Sequence, residues 1–132
     1  MKKVVKFGGS SLASASQFEK VGAIIREDES RKYVVPSAPG KRFSSDTKVT
    51  DLLYACYRSV GDEEKFQKIL KEIKERYQEI IDGLHLSLSL EEDFSLVEEN
   101  FKKQIGEEYA ASRGEYLNGK IMAAYLGFTF VD

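Results

Sequence analysis

A β-branched run that halts at paired glycines constrains this chain more than any other feature. Lys2 to Phe7 mixes Val4 and Val5 with polar neighbours and reads as a strand, which Gly8-Gly9-Ser10-Ser11 then breaks. From Ala15 the spacing changes: Phe18, Val21, Ile24 and Ile25 recur at intervals of three and four, the period of one helical face. Charged Arg26 to Arg31 closes that helix, and Tyr33-Val34-Val35 reads as a second strand. Strand, glycine turn, helix, strand is the order of an α/β unit built on a parallel sheet, because parallel neighbours need a crossover between them.

Pro36 to Thr47 is a polar loop that holds both prolines, Pro36 and Pro39. A helix is expected from near Thr47 through Leu52, Leu53, Cys56 and Tyr57 toward Gly61. Glu63 to Asp82 is the clearest helix, with Phe66, Ile69, Leu70, Ile73, Tyr77, Ile80 and Ile81 as one stripe opposite a charged face. Leu90 to Tyr109 reads as a further helix with Phe94, Val97, Phe101 and Ile105 inward, and Ser112 to Leu126 as the last. Phe128 to Val131 is expected to be a third strand. A parallel sheet is covered by helices on both faces. A chain ending with that strand is therefore expected to be part of a larger one.

Charge and cysteine usage narrow the class. The 132 residues are the size of one domain or one lobe, and 42% hydrophobic content is enough for a packed core. With 20 Lys+Arg against 22 Asp+Glu, no basic stripe points to nucleic acid. The apolar runs fall far short of the ~20 residues a membrane span needs. Cys56 is the single cysteine, so no intrachain disulfide is possible. These features lead to the expectation of a cytoplasmic protein with neither nucleic-acid nor membrane partners.

Lys6-Phe7-Gly8-Gly9-Ser10-Ser11 is the sharpest chemical feature. Two glycines let the main chain approach a ligand, exposed amides and a following helix N-terminus hold an anion, and Lys6 adds a point charge. A tight turn with a solvated lysine uses the same residues without any ligand, and both readings stand at this level. A second glycine pattern is rejected. Gly114 to Lys120 spells G-x-x-x-x-G-K, but Ile121 follows where a hydroxyl is needed for Mg²⁺, and the whole stretch reads as helix. Cys56 falls on an apolar helix face and reads as core. His85, the single histidine, is given no role, since a metal site needs several ligands. The charge pattern from Glu63 to Arg76 reads as a solvated face.

Three separated segments resemble aspartate kinases of the amino-acid kinase family. They are Lys6-Phe7-Gly8-Gly9-Ser10-Ser11-Leu12-Ala13; Val34-Val35-Pro36-Ser37-Ala38-Pro39-Gly40 with Val49-Thr50-Asp51-Leu52-Leu53; and Ser112-Arg113-Gly114-Glu115-Tyr116-Leu117-Asn118-Gly119-Lys120 leading into Ala123-Ala124-Tyr125-Leu126-Gly127. Their order and spacing fit the family across nearly the whole chain. The resemblance implies an α/β three-layer sandwich with a mainly parallel sheet. Residues 1–132 would be its N-terminal lobe, with a helical subregion over about 47–127. It implies that Lys6, Phe7, Gly8, Gly9 and Ser10 bind the ATP phosphates, with Lys6 catalytic. Ser37, Thr50 and Glu115 would bind the amino-acid substrate, and no residue here would be a metal ligand.

Each assignment has a structural rival. Glu115 stands three residues after Ser112, the spacing of a capping box. Thr50 fits an ordinary first helical turn with Asp46 or Thr47 as cap, and Ser37 fits loop filler before Pro39. Lys41 to Val49 forms a longer basic loop than in many relatives, either a lid over phosphate or a surface excursion.

The reaction implied is transfer of the γ-phosphate of ATP, with Mg²⁺, to the β-carboxylate of L-aspartate, the first step toward lysine, threonine and methionine. The parent enzyme is expected to be a homo-oligomer. The nucleotide lobe and further catalytic residues of the family lie C-terminal to such a segment, so the segment alone is expected to be inactive and prone to self-association. The alternatives are a family member with another acceptor, such as glutamate or carbamate, and a non-catalytic amino-acid-binding fragment.

Overall fold

The computed structural model describes residues 2–131. Strand β1 (Lys3–Phe7) pairs in parallel with β2 (Arg31–Pro36), with Lys6 opposite Val35 and Phe7 opposite Pro36. Between them the glycines enter a 3₁₀ turn over Gly9–Leu12 before α1 (Ala15–Arg26) begins. The helix expected from Ala15 begins there, one 3₁₀ turn beyond the glycines. Ser14 caps it, its hydroxyl accepting from the Gln17 amide at 3.4 Å.

Helices α2 (Val49–Arg58), α3 (Glu63–Gly83), α4 (Glu91–Lys102) and α5 (Glu107–Leu126) follow. The α3 stripe is the spine of the core. Phe66, Leu70, Ile73, Tyr77, Ile80 and Ile81 are all at most 1% exposed, each contributing about 1.5–3 kcal/mol by leaving water. α3 packs on α2 and α1, and α5 packs on α2, α4 and β2. Val5, Phe7, Val34 and Pro36 face this helical layer and are half-buried, whereas Val4, Tyr33 and Val35 on the other face of the strand pair are exposed.

Three expectations are corrected. The helix drawn from Leu90 to Tyr109 is two helices. Gln104 (φ 55°) and Gly106 (φ 137°) break it in left-handed backbone, and Ile105 is exposed rather than inward. The break is held by contacts from α2: the Gln104 amide donates to the Tyr57 carbonyl at 3.3 Å, and the Gly106 N–H donates to the Tyr57 hydroxyl at 2.9 Å.

The third strand, Phe128 to Val131, does not form among the described residues, where the sheet has two strands. The segment is anchored instead by the Phe130 ring, which meets Tyr116 edge-on at 5.4 Å and covers Gly119. Side-chain packing on α5 thus replaces ladder hydrogen bonds. Ile24, expected inward, is exposed on α1.

Candidate functional site

Parallel strands deliver their following loops to one end of a sheet, and ligands of open α/β sheets bind outside the carboxyl ends of the strands. Here those loops are Gly8-Gly9-Ser10 after β1 and Ser37 to Gly40 after β2. They are stitched together: the Ser37 N–H donates to the Phe7 carbonyl at 3.2 Å, and the Gly40 N–H donates to the Gly9 carbonyl at 2.8 Å.

The two glycines of the turn differ. A Cβ on Gly9 would stand 2.9 Å from the Ala38 carbonyl, whereas a Cβ on Gly8 would meet nothing within 4 Å. Gly9 is small so that the loops can stack, and Gly8 leaves its outer side open. The first turn amide to find a carbonyl is that of Ser11, which donates to Gly8 at 3.2 Å. The Gly9 and Ser10 amides precede it, in the orphan position of any helical start. Lys6 and Ser10 are exposed, and Phe7 is half-buried on the core side.

α2 and α5 bring the remaining residues. The Val49 N–H donates to the Pro39 carbonyl at 3.1 Å, which seats the first turn of α2, and half-buried Thr50 with it, on the second loop. The N-cap of α2 is Lys48 without a side-chain bond, so neither Asp46 nor Thr47 caps it.

On α5, Gly114 lies where a Cβ would be 2.6 Å from the Ala38 methyl, which explains a glycine in the Arg-Gly-Glu segment. One turn further, the fully buried Asn118 donates from Nδ2 to the Ser37 carbonyl at 2.8 Å, while its Oδ1 has no partner. Ser112 is inside α5 with its hydroxyl on the Tyr109 carbonyl at 2.7 Å, so the capping-box reading of Glu115 fails. Glu115 is exposed and has no salt-bridge partner among the described residues. It lines a cavity of about 470 Å³ with Tyr33, Val35, Arg113, Tyr116 and Phe130. Arg113 lies over the faces of Tyr109 and Tyr116 at 4.8 and 4.4 Å. This cavity thus takes in Glu115 but not Lys6, the glycine turn, Ser37 or Thr50.

The structure bears on two further readings of the sequence. Gly114 to Lys120 is helical throughout, and Lys120 is paired with Asp93 at 2.8 Å, in keeping with its rejection as a phosphate loop. In the basic loop, Arg42 is committed to its own neighbours: it grips the Asp46 carboxylate at 2.8 and 3.1 Å and reaches Glu79 at 2.9 Å. That grip, with the Arg42 backbone amide, holds the Asp46 carboxyl well below the usual carboxylate range.

Arg76, expected in a solvated face, is 5% exposed. Ile73 and Ile80, three and four residues away, are buried on the same side of α3. Next to it the Tyr77 hydroxyl donates to the Gly114 carbonyl at 2.8 Å, and burial pushes that phenol far up. Asn118, Arg76 and Tyr77 were not singled out as site residues by sequence patterns, because their partners are distant in the chain.

Two parallel strands with a glycine turn at their carboxyl ends place the chain in the α/β class that binds ligands at strand ends. A model of the amino acid kinase family matches residues 1–129, and the chain belongs to that family. It is 42% identical over 134 residues to aspartokinase 3 of Bacillus subtilis, a match covering 96% of this chain and 29% of that protein. Among solved structures it resembles an allosteric aspartate kinase of Clostridium acetobutylicum, at 48% identity and TM-score 0.91, over 98% of this chain and 30% of that one. It also shares its fold with E. coli aspartokinase III, solved with aspartate and ADP, at 23% identity and TM-score 0.75. The chain spans about 30% of the length of these relatives.

Proposed function

We propose that the chain is the amino-terminal lobe of an aspartate kinase, and that the whole enzyme transfers the γ-phosphate of ATP to the β-carboxylate of L-aspartate, giving 4-phospho-L-aspartate and ADP. The observation that carries this reading is the meeting of three distant segments around Ser37 to Gly40: the glycine turn through Gly9, α2 through Val49, and α5 through Gly114 and Asn118. The likeness to the Clostridium enzyme supports the choice of acceptor.

A carboxylate is already a nucleophile, so positioning and charge neutralisation are the tasks left to the protein. Lys6 carries the mobile positive charge for the transferred phosphoryl group. The Gly8, Gly9 and Ser10 amides receive phosphate oxygens on the side that Gly8 leaves open, with Phe7 anchoring the turn from the core. On the acceptor side, Glu115 offers a carboxylate to the substrate ammonium, and Ser37 and Thr50 offer hydroxyls to its carboxylates. ATP would arrive with Mg²⁺. No group of three or more acidic, histidine or cysteine side chains comes together among the described residues.

Lys6→Ala in the full-length enzyme tests the reading. Turnover is expected to fall by about 10²–10³, the scale for losing one preorganised charge-stabilising donor. Near-normal turnover would refute the role. Titration of the 132-residue chain with L-aspartate and L-glutamate separates the acceptors. Selective heat with aspartate supports Thr50 and Glu115, and preference for glutamate favours a relative with another acceptor.

A further inference from the structure

We propose that Arg76, on a helix that carries none of the substrate-contacting residues, is the positioning residue that fixes the phosphate turn and the entrance of α2, which carries Thr50, relative to each other. The inference rests on the reading of the site given above. The Arg76 guanidinium donates to the Gly40 carbonyl at 2.7 Å through one terminal nitrogen and to the Thr47 carbonyl at 2.8 Å through the other. These carbonyls stand at the two ends of the basic loop. Gly40 is the residue whose N–H holds Gly9, and Thr47 stands three residues before Thr50. One rigid, planar group therefore spans from the main chain against the glycine turn to the entrance of α2. The Asp46 carboxylate, 3.6 Å away, supplies the countercharge, itself oriented by Arg42.

The chemistry of the residue argues that more than packing is involved. A charge brought to 5% exposure costs desolvation that an apolar side chain of similar volume would not incur. Nε is buried without a partner, so the group is not optimised for its own hydrogen bonding. What only arginine provides is two directed donors in a fixed fork, able to hold two carbonyls at a set separation. The next residue extends the same function, since Tyr77 bonds Gly114, the neighbour of Glu115. Consecutive positions of α3 thus touch the backbone beside the phosphate turn, beside Thr50 and beside Glu115.

The test compares Arg76→Lys and Arg76→Met in the full-length enzyme, with Lys6→Ala as the phosphate-site control and Lys68→Gln, at an exposed position of the same helix, as a surface control. Thermal melting, kcat, and KM for aspartate and for ATP are read for each. Lysine keeps the charge but offers a point rather than a fork, and methionine fills space alone. Both are expected to fold, to lose about 10²-fold in kcat, the scale of a displacement near 1 Å at a reacting centre, and to raise both KM values. Lys68→Gln is expected to match wild type.

Wild-type kinetics in a folded Arg76→Lys and Arg76→Met would overturn the assignment. So would failure of both to fold, which would make Arg76 a determinant of the core rather than of the site. Impaired Arg76 variants beside a fully active Lys6→Ala would instead remove the phosphate reading.

Discussion

Gly40 lies main chain to main chain on Gly9: its N–H donates to the Gly9 carbonyl at 2.8 Å, and a Cβ on Gly40 would fall 2.7 Å from the Gly9 carbonyl carbon. Two loops that share no sequence neighbourhood therefore set each other's position, and both glycines are required by proximity rather than by an unusual φ. The second loop fixes the first by contact, and α3 and α5 fix the second by hydrogen bonds to Gly40 and Ser37.

Gly40→Ala is expected to destabilise the chain by about 1–3 kcal/mol, because the added methyl has only backbone to push against. Gly8→Ala is expected to leave the melting temperature unchanged, since its Cβ points into open space. In the full-length enzyme Gly8→Ala should still raise KM for ATP, if phosphate approaches that side. Equal melting losses for the two variants would contradict the stacking.

Asn118 is a buried tie between α5 and the Ser37 loop. Asn118→Leu leaves the Ser37 carbonyl without its donor and is expected to cost about 1–3 kcal/mol. Asn118→Asp is expected to cost more, since it sets an acceptor against an acceptor in a site of no solvent exposure. Urea unfolding of both variants checks the order, and a more stable aspartate variant would reverse the proposed bond.

The strand pair exposes Val4 at 70%, Tyr33 at 52% and Val35 at 45% on one face. Apolar patches of this kind drive association in water. The 132-residue chain is expected to self-associate in light scattering, and a Val4→Lys, Val35→Lys double variant to be more nearly monomeric. A clean monomer of the unaltered chain at high concentration would count against the patch.

Cys56 is fully buried against the Phe66 carbonyl, at 3.8 Å, and burial raises its thiol from 9.0 to about 12. The folded state therefore keeps its proton where the unfolded state has lost it. Stability from this group is complete below pH 9 and is lost as pH rises through 12, with a slope of up to about 1.4 kcal/mol per pH unit. Cys56→Ala should be less stable at neutral pH yet fall less steeply between pH 9 and 11 in urea titrations. Identical slopes would disprove the shift. Thiol reagents at pH 8 are expected to label the unfolded chain and spare the folded one.

Local patterns in the sequence determined what one element reports about itself. The β-branched run of Val4 and Val5 among polar residues, the stop at Gly8-Gly9 and the stripe from Phe66 to Ile81 pointed to the first strand, the turn and the long helix, because local patterns and glycine chemistry act over a few residues. The three family segments were legible for the same reason, as short contiguous strings. Tertiary structure alone decided the rest. Tyr57 ends α4 from 47 residues away, Arg76 is drawn inward by carbonyls 29 and 36 residues distant, and Phe130 packs on α5 instead of joining a sheet. In each case a buried polar or aromatic group takes its partner from another element. The free energy of that contact overrides a local preference of less than about 1 kcal/mol per residue, and no spacing within the element records it.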